Sequence, residues 1–276
     1  MDADAILQSV SPSATHVNIS AGGNQVFRLR EEDGATSVVK IYATPTRERR
    51  ERHALAALGR TAGVPKIMSR GIDEGVAWIQ MTDGGNWDLS VLPRNLNILR
   101  SAGRVLRGVH ESGADLTNLS TSIDNEQIGA HFRNTIERLG KYRRRLSLPA
   151  DVLDRAASAG PPVASPGKPA HTRAFPNQFL VTEAGQVTLI DWEWATIATP
   201  EWDVSLASWQ FAKLFGDEAA AAFLEGYGAV VSATRLKSWI AYHSAMLMLE
   251  AAEKRDGRLH DMGPLVEDLS EAIGVR

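Results

Sequence analysis

Between residues 16 and 42, in HVNISAGGNQVFRLREEDGATSVVKIY, apolar and polar positions alternate in two stretches that flank Gly22, Gly23 and Asn24. A third alternating stretch follows the Glu-Glu-Asp-Gly turn at 31–34. This period of two predicts a three-stranded meander whose first turn is rich in glycine. The next segment, TRERRERHALAALGR, is strongly charged, but Leu55 and Leu58 continue an apolar helical face and Gly63, Val64 and Pro65 stop it. Residues 65–72 and 76–82 are apolar and β-rich and are split by Asp73, Glu74 and Gly75, a pattern that predicts a hairpin completing a five-stranded antiparallel sheet. Asp83, Gly84, Gly85 and Asn86 break the alternation and read as a hinge.

Beyond the hinge the period changes to that of helices over 96–112 and 126–146. The stretch GPPVASPGKP at 160–169 reads as loop. Two short β runs at 178–181 and 187–190 follow, and the second ends at Ile190, Asp191, Trp192 and Glu193. After Pro200 the chain is helical from Asp203 to around residue 252 and again over 264–273, with no internal repeat or heptad. The expected fold is α+β in two lobes. Residues 1–82 form a small antiparallel sheet with one helix, and residues 83–276 form a larger, mainly α-helical lobe.

Length and composition agree with that picture. The 276 residues suffice for one large domain or two lobes sharing a cleft. Lys and Arg number 30 against 33 Asp and Glu, so no overall basic excess points to nucleic acid or an anionic membrane. The absence of cysteine excludes disulfides, thiolate metal sites and cysteine nucleophiles. The first residues, MDADAILQSVSPSATHV, carry two early acids and no long apolar run, unlike a signal peptide. No uncharged apolar run is long enough to span a bilayer, and a soluble, cytoplasmic protein is expected. Five basic residues between 138 and 145 read as a solvated helical face.

The chemistry lies in the order of individually weak signals. A glycine-rich turn (Gly22, Gly23, Asn24), a strand lysine (Lys40), a helix acid (Glu51), a hinge beginning at Met81, a His-led loop at 171–178 and Asp191 at the end of a β run follow one another as a kinase-like phosphotransferase requires. With HTRAFPNQFLV followed by LIDWEWA, the chain resembles the aminoglycoside phosphotransferase and choline kinase-like family from about residue 15 to 255. The family's first stretch looks like H-G-D-x-x-x-x-N-x-L and its second like I-D-W/F. PEWD at 200–203 is similar to the P-x-x-D that follows in many members. The resemblance implies a kinase-like fold and transfer of the γ-phosphate of ATP, with GTP left open, in the presence of Mg²⁺. The acceptor implied is a hydroxyl of a small molecule such as an amino sugar, an antibiotic or a choline-like alcohol, with a peptide Ser or Thr hydroxyl also open.

The roles implied are specific. Lys40 would place a positive charge on the α/β-phosphates and pair with Glu51, with Glu48 one turn earlier as the alternative. Backbone N–H groups around Gly22, Gly23 and Asn24 would approach the phosphates, because glycine has no Cβ to obstruct them. Met81 would border the nucleotide at the hinge. Asp191 would bind Mg²⁺ with Gln178, whose amide oxygen stands where the family usually has Asn. Arg173 falls where the family carries its catalytic Asp, and a guanidinium has no lone pair with which to act as a base.

Three readings of Arg173 follow. It inactivates an otherwise intact kinase; or it marks a pseudokinase that binds nucleotide and serves a protein partner; or it holds an anionic substrate or the γ-phosphate while Glu193, Glu201 or Asp203 takes the proton. His171 and His110 read as scaffold residues. Trp202, Trp209, Tyr227, Trp239 and Tyr242 are shared between pocket wall and core, and the acids between 201 and 253 are scattered along the chain.

Overall fold

The computed structural model describes residues 3–20, 23–92, 94–119, 123–228, 232–254 and 262–274. Gly22 lies outside them, so only Gly23 and Asn24 of the expected phosphate turn have a described place.

The alternating segments form strands β1 (Thr15–Asn18), β2 (Gln25–Arg30), β3 (Thr36–Ile41), β4 (Ile67–Asp73) and β5 (Val76–Thr82). They make one antiparallel sheet in the order β1-β2-β3-β5-β4, so the β4–β5 hairpin joins through its second strand. Residues directly opposite each other across a ladder share a face. Pairing of Val26 with Lys40, Arg28 with Val38, Val38 with Met81 and Lys40 with Ile79 therefore sets Lys40 on one face. Phe27, Leu29, Val39 and Ile41 occupy the other, where Ile6 and Leu7 of α1 (Ala3–Val10) cover them. This helix is absent from the sequence expectation.

Helix α2 (Pro45–Leu58) begins where Thr44 accepts a hydrogen bond from the Arg47 N–H and Pro45 occupies the first turn. Glu51, Ala54, Leu55 and Leu58, spaced on one helical face, are its buried residues. The same stripe therefore packs the helix into the core and delivers Glu51 to Lys40.

Past Thr82 the hinge threads tightly beside β8 (Phe179–Val181). Gly85 has φ +123°, and a Cβ there would lie 2.3 Å from the Val181 carbonyl. β6 (Trp87–Asp88), β8 and β9 (Val187–Leu189) form a second antiparallel sheet, and β7 (Lys168–Ala170) pairs with β10 (Thr196–Ala198). The rest is helical: α3 (Leu96–His110), α4 (Asn125–Tyr142), α5 (Ala150–Ala159), α6 (Pro200–Phe215), α7 (Asp217–Tyr227), α8 (Ala233–Lys254) and α9 (Gly263–Ala272). Two expectations are corrected: α4 stops at Tyr142 rather than 146, and β7 begins inside the segment read as loop.

One large core joins α2 and β5 to α3, β8, β9, α6 and α7 through Leu55, Ile79, Leu106, Phe179, Phe211 and Phe223. A second joins α4, α5, α8 and α9 around Trp202, Trp239 and Tyr242. Helices α3 and α7 touch backbone to backbone, because a Cβ on Gly226 would fall 2.0 Å from the Arg100 carbonyl oxygen and one on Gly103 2.2 Å from that of Phe223.

Candidate active site

Lys40 on β3 and Glu51 on α2 meet at 2.6 Å, and the same Lys40 ammonium donates to Asp191 Oδ1 at 2.6 Å. Both Lys40 and Glu51 are buried. Glu48 pairs instead with Arg52 at 2.7 Å, so Glu51 is the partner of the strand lysine. Glu51 is held from three sides, because it also accepts from the Tyr42 hydroxyl at 2.9 Å and from the Trp192 N–H at 3.2 Å. Burial alone would lower the Lys40 pKa, but the two carboxylates outweigh it and hold the ammonium above its ordinary value. Burial would likewise raise Asp191, yet Lys40, aided by His171 and Arg47, keeps that carboxyl below the usual carboxylate range.

Asp191 sits just past β9 in the left-handed region at φ +69°, before a 3₁₀ turn over Trp192–Trp194. The Ile190 N–H donates to the Gln178 carbonyl at 2.9 Å, which sets Gln178 beside the residue preceding Asp191. Carboxylate oxygens of Glu51, Asp191 and Glu193 lie within 4.8 Å of one another. Glu193 accepts from Asn24 Nδ2 at 3.2 Å, and Asn24 Oδ1 accepts from the Ala43 N–H at 3.1 Å, so Asn24 links the turn after β1 to this cluster. Three hard oxygen donors are a chemically suitable set for Mg²⁺. The sequence reading missed Glu193 as a member of the cluster; its signal was the D-x-E spacing of Asp191 and Glu193.

The loop ahead of Asp191 is built on buried groups. His171 donates from Nε2 to the Ile190 carbonyl at 2.8 Å, accepts at Nδ1 from the Arg173 N–H at 3.3 Å, and donates its own N–H to Asp203 Oδ2 at 2.7 Å. Thr172, at φ +64°, donates to the Trp194 carbonyl, and Trp202 Nε1 donates to the Thr172 carbonyl at 3.0 Å. His110 contacts both Asp203 (3.2 Å) and the Tyr227 hydroxyl (2.7 Å). Both histidines therefore stand in a scaffolding position. At the hinge, Met81 is buried against Val38, while Arg28 binds both oxygens of Asp83 (2.7 and 3.1 Å) and the Gly85 carbonyl (2.5 Å).

Arg173 points away from this scaffold. Its guanidinium pairs with Glu250 at 3.2 Å and lies 5.2 Å from the centre of the Trp194 ring. Arg50 lies 5.8 Å from the same ring and donates to the Glu193 carbonyl at 2.7 Å. Neither Trp194 nor Arg50 figures in the sequence reading, because only the fold brings α2 to the 3₁₀ turn. Of the acids proposed as proton acceptors, Glu201 is engaged by Ser165, Thr199 and Arg235, and Asp203 is fully buried under the His171 N–H. Three other acids of the C-terminal helices meet arginines, Glu218 with Arg94, Glu225 with Arg100 and Glu253 with Arg138. Trp202, Trp209, Trp239 and Tyr242 are all buried, and Trp202, Trp239 and Tyr242 pack together in the second core.

A strand lysine bridging a helix glutamate and a strand-end aspartate is the arrangement a kinase-like phosphotransferase uses. The sequence matches the phosphotransferase enzyme family over residues 17–239, and the chain belongs to that family. It is therefore a phosphotransferase. No curated protein matches the sequence significantly. Among solved structures, a thermostable mutant of the aminoglycoside phosphotransferase APH(4)-Ia is similar at 16% identity and TM-score 0.71, covering 98% of each chain. A choline/ethanolamine kinase family protein from Mesorhizobium loti is similar at 18% identity and TM-score 0.67, covering 99% of this chain and 97% of its own. The macrolide 2'-phosphotransferase MphH from Brachybacterium faecium gives 16% identity and TM-score 0.65, covering 98% of each chain. These likenesses establish the fold. Among the described residues no helix is long and apolar enough to cross a membrane.

Proposed function

We propose that this chain uses ATP and Mg²⁺ to phosphorylate a hydroxyl of a small molecule, binding nucleotide between the sheet of residues 1–82 and the helical remainder. The observation that carries the reading is Lys40 placed 2.6 Å from both Glu51 and Asp191. That triad sets a fixed positive charge and a metal-binding carboxylate at one point, as neutralisation of nucleotide phosphates demands. GTP would present the same triphosphate to this triad, so the two nucleotides are compared directly.

Asp191 would hold the Mg²⁺ beside the Glu193 carboxylate, and Gln178, whose backbone carbonyl takes the Ile190 N–H, would add its amide oxygen. When bound, the ion screens charge on the transferring phosphoryl group. Lys40 orients the phosphates, and Glu51 fixes Lys40. Arg173 cannot accept the acceptor's proton. Glu193, the one candidate acid that shares the cluster with Asp191, takes that proton in this reading, and phosphoryl transfer through a loose transition state asks little of a base.

The test is calorimetric titration of the unmodified protein with Mg²⁺–ATP and Mg²⁺–GTP, alongside Asp191→Ala. Metal-dependent binding that disappears in the variant supports the reading; no binding at millimolar nucleotide overturns it and favours a scaffold that serves a protein partner. Arg173→Asp then reports the role of residue 173. A rise in ATP turnover across an acceptor panel identifies Arg173 as an impairing residue, and a fall shows that the guanidinium contributes to the active site.

A further inference from the structure

Beside the triad lies a second constellation with a different character. Arg50 and Arg173 reach the same Trp194 ring from two separate elements, helix α2 and the loop after β7. Trp194 is 42% exposed, unusual for so large an apolar side chain in a chain whose other aromatic clusters are mostly buried. Arg50 is anchored by its Nε on the carbonyl of Glu193, whose carboxylate belongs to the cluster with Asp191. Among the described residues no carboxylate stands within ion-pair distance of Arg50. Arg47, one turn earlier on α2, reaches Glu193 only at 3.7 Å and is itself 40% exposed. A guanidinium over an indole keeps its in-plane N–H groups for a planar oxyanion; the Nη groups of Arg50 are in that state, whereas those of Arg173 face Glu250 at 3.2 Å, a contact an incoming oxyanion exchanges for its own.

A polycationic acceptor would meet the opposite arrangement from the one it needs. Glu218, Glu225 and Glu253 of the C-terminal helices already face arginines, and the side chain at the catalytic-loop position is a cation. We propose that Arg50, Arg173 and Trp194 form an oxyanion-binding subsite beside Asp191, and that the hydroxyl acceptor of this enzyme carries a carboxylate or phosphate group. The proposal rests on the phosphotransferase reading for its word acceptor, whereas the anion site itself stands on the stacked guanidinium pair. The shared chemistry admits a second source of oxyanion, the γ-phosphate of the nucleotide, and the test separates the two.

The full chain labelled with 5-fluorotryptophan gives a ¹⁹F resonance for Trp194, assigned by its loss in Trp194→Phe. Inorganic phosphate is titrated at constant ionic strength into protein alone, into protein with Mg²⁺–ADP, and into protein with Mg²⁺ and a non-hydrolysable ATP analogue. The expected result is a saturable shift that persists with the analogue present. It weakens about tenfold or more in Arg50→Ala, as expected for loss of a charge-assisted pair, and recovers in part in Arg50→Lys. Arg49→Ala, an exposed neighbour on α2, should titrate like the parent. The proposal is overturned by the absence of a shift, by an equal shift from chloride, by an unchanged response in Arg50→Ala, or by a saturable shift from spermine instead. A response with ADP that the analogue abolishes assigns the guanidinium pair to the γ-phosphate and overturns the acceptor assignment. Nucleotide binding, measured on the same sample by calorimetry, fails or succeeds independently of the titration with protein alone.

Discussion

Lys40 neutralises two acids at once, and its removal exposes that economy. Lys40→Ala leaves Glu51 almost wholly buried and Asp191 partly buried without their shared cation. Removing one partner of a buried ion pair destabilises a fold by roughly 3–5 kcal/mol. We expect the variant to show a lower urea midpoint by an amount at the low end of that range, since Asp191 is partly solvated, together with loss of Mg²⁺–ATP binding by calorimetry. Asp191→Asn separates the two effects, because its amide removes the charge proposed to hold Mg²⁺ while keeping the shape; it should lose nucleotide affinity with a much smaller change in the urea midpoint.

A second residue sets the acid limit of the fold. His243 is fully buried, with Nε2 3.1 Å from the Trp202 carbonyl and 3.0 Å from Ser205 Oγ, and burial pushes its pKa down to about 4. The folded chain thus binds the His243 proton less readily than the unfolded chain, whose histidine titrates near 6.5. Stability is complete above pH 6.5 and declines as the pH falls towards 4, by on the order of 3 kcal/mol for a shift of this size. His131, also lowered by burial and by Arg138, adds in the same direction. Urea denaturation at pH 7, 5.5 and 4.5 checks the slope, and His243→Gln should flatten it.

At the scale of elements, the α3–α7 crossing is the most constrained contact. Gly226→Ala would push a methyl group to 2.0 Å from the Arg100 carbonyl oxygen, where backbone and not a flexible side chain must move. Overpacking of this kind costs about 1–3 kcal/mol or more, and thermal denaturation should show a reduced Tm with the nucleotide site otherwise intact. On the far face of the sheet, Leu7→Ala should cost about 2–5 kcal/mol, because α1 buries Leu7 among Phe27, Leu29, Val39 and Ile41.

The same contacts explain what could be read from the chain and what could not. The five strands and α2 were legible because local periodicity fixes each element, whereas the pairing of Lys40 with Glu51 rather than Glu48 came only from the family resemblance and was settled by the fold. The insertion of β5 between β3 and β4 was not legible, since both hairpin orientations satisfy the same alternation. Helix α1 was hidden by its brevity; eight residues give barely two turns of pattern, and its apolar stripe has meaning only once a sheet face needs covering. Arg50, Trp194 and the place of Glu193 in the carboxylate cluster escaped for a related reason. Their joint position depends on α2 docking against the turn after Asp191, some 140 residues later in the chain.

For the whole molecule, the sheet and the helical region are joined at the site itself as well as through the hinge. Lys40 reaches Asp191, Asn24 reaches Glu193, Glu51 takes the Trp192 N–H, and Arg28 grips Asp83. A ligand that binds at this seam must stabilise both regions together. At a hundredfold excess over its dissociation constant, a ligand raises folding stability by about 2.7 kcal/mol. For a chain of this size that corresponds to roughly 5–10 °C in Tm. We expect a single thermal transition that moves as one with Mg²⁺–ATP in the unmodified chain and stays in place in Asp191→Asn.

The loop over 171–173 is secured from within. Asp203 and Ile190 hold His171, Trp194 and Trp202 hold Thr172, and the side chain of Arg173 adds only outward contacts to Glu250 and Trp194. The shape of the loop is therefore inherited separately from the chemistry of its third residue. A lineage can exchange the side chain at 173 and keep every bond that supports the backbone there, so this position is where descendants of one ancestor can diverge in reaction without first surviving a damaged fold.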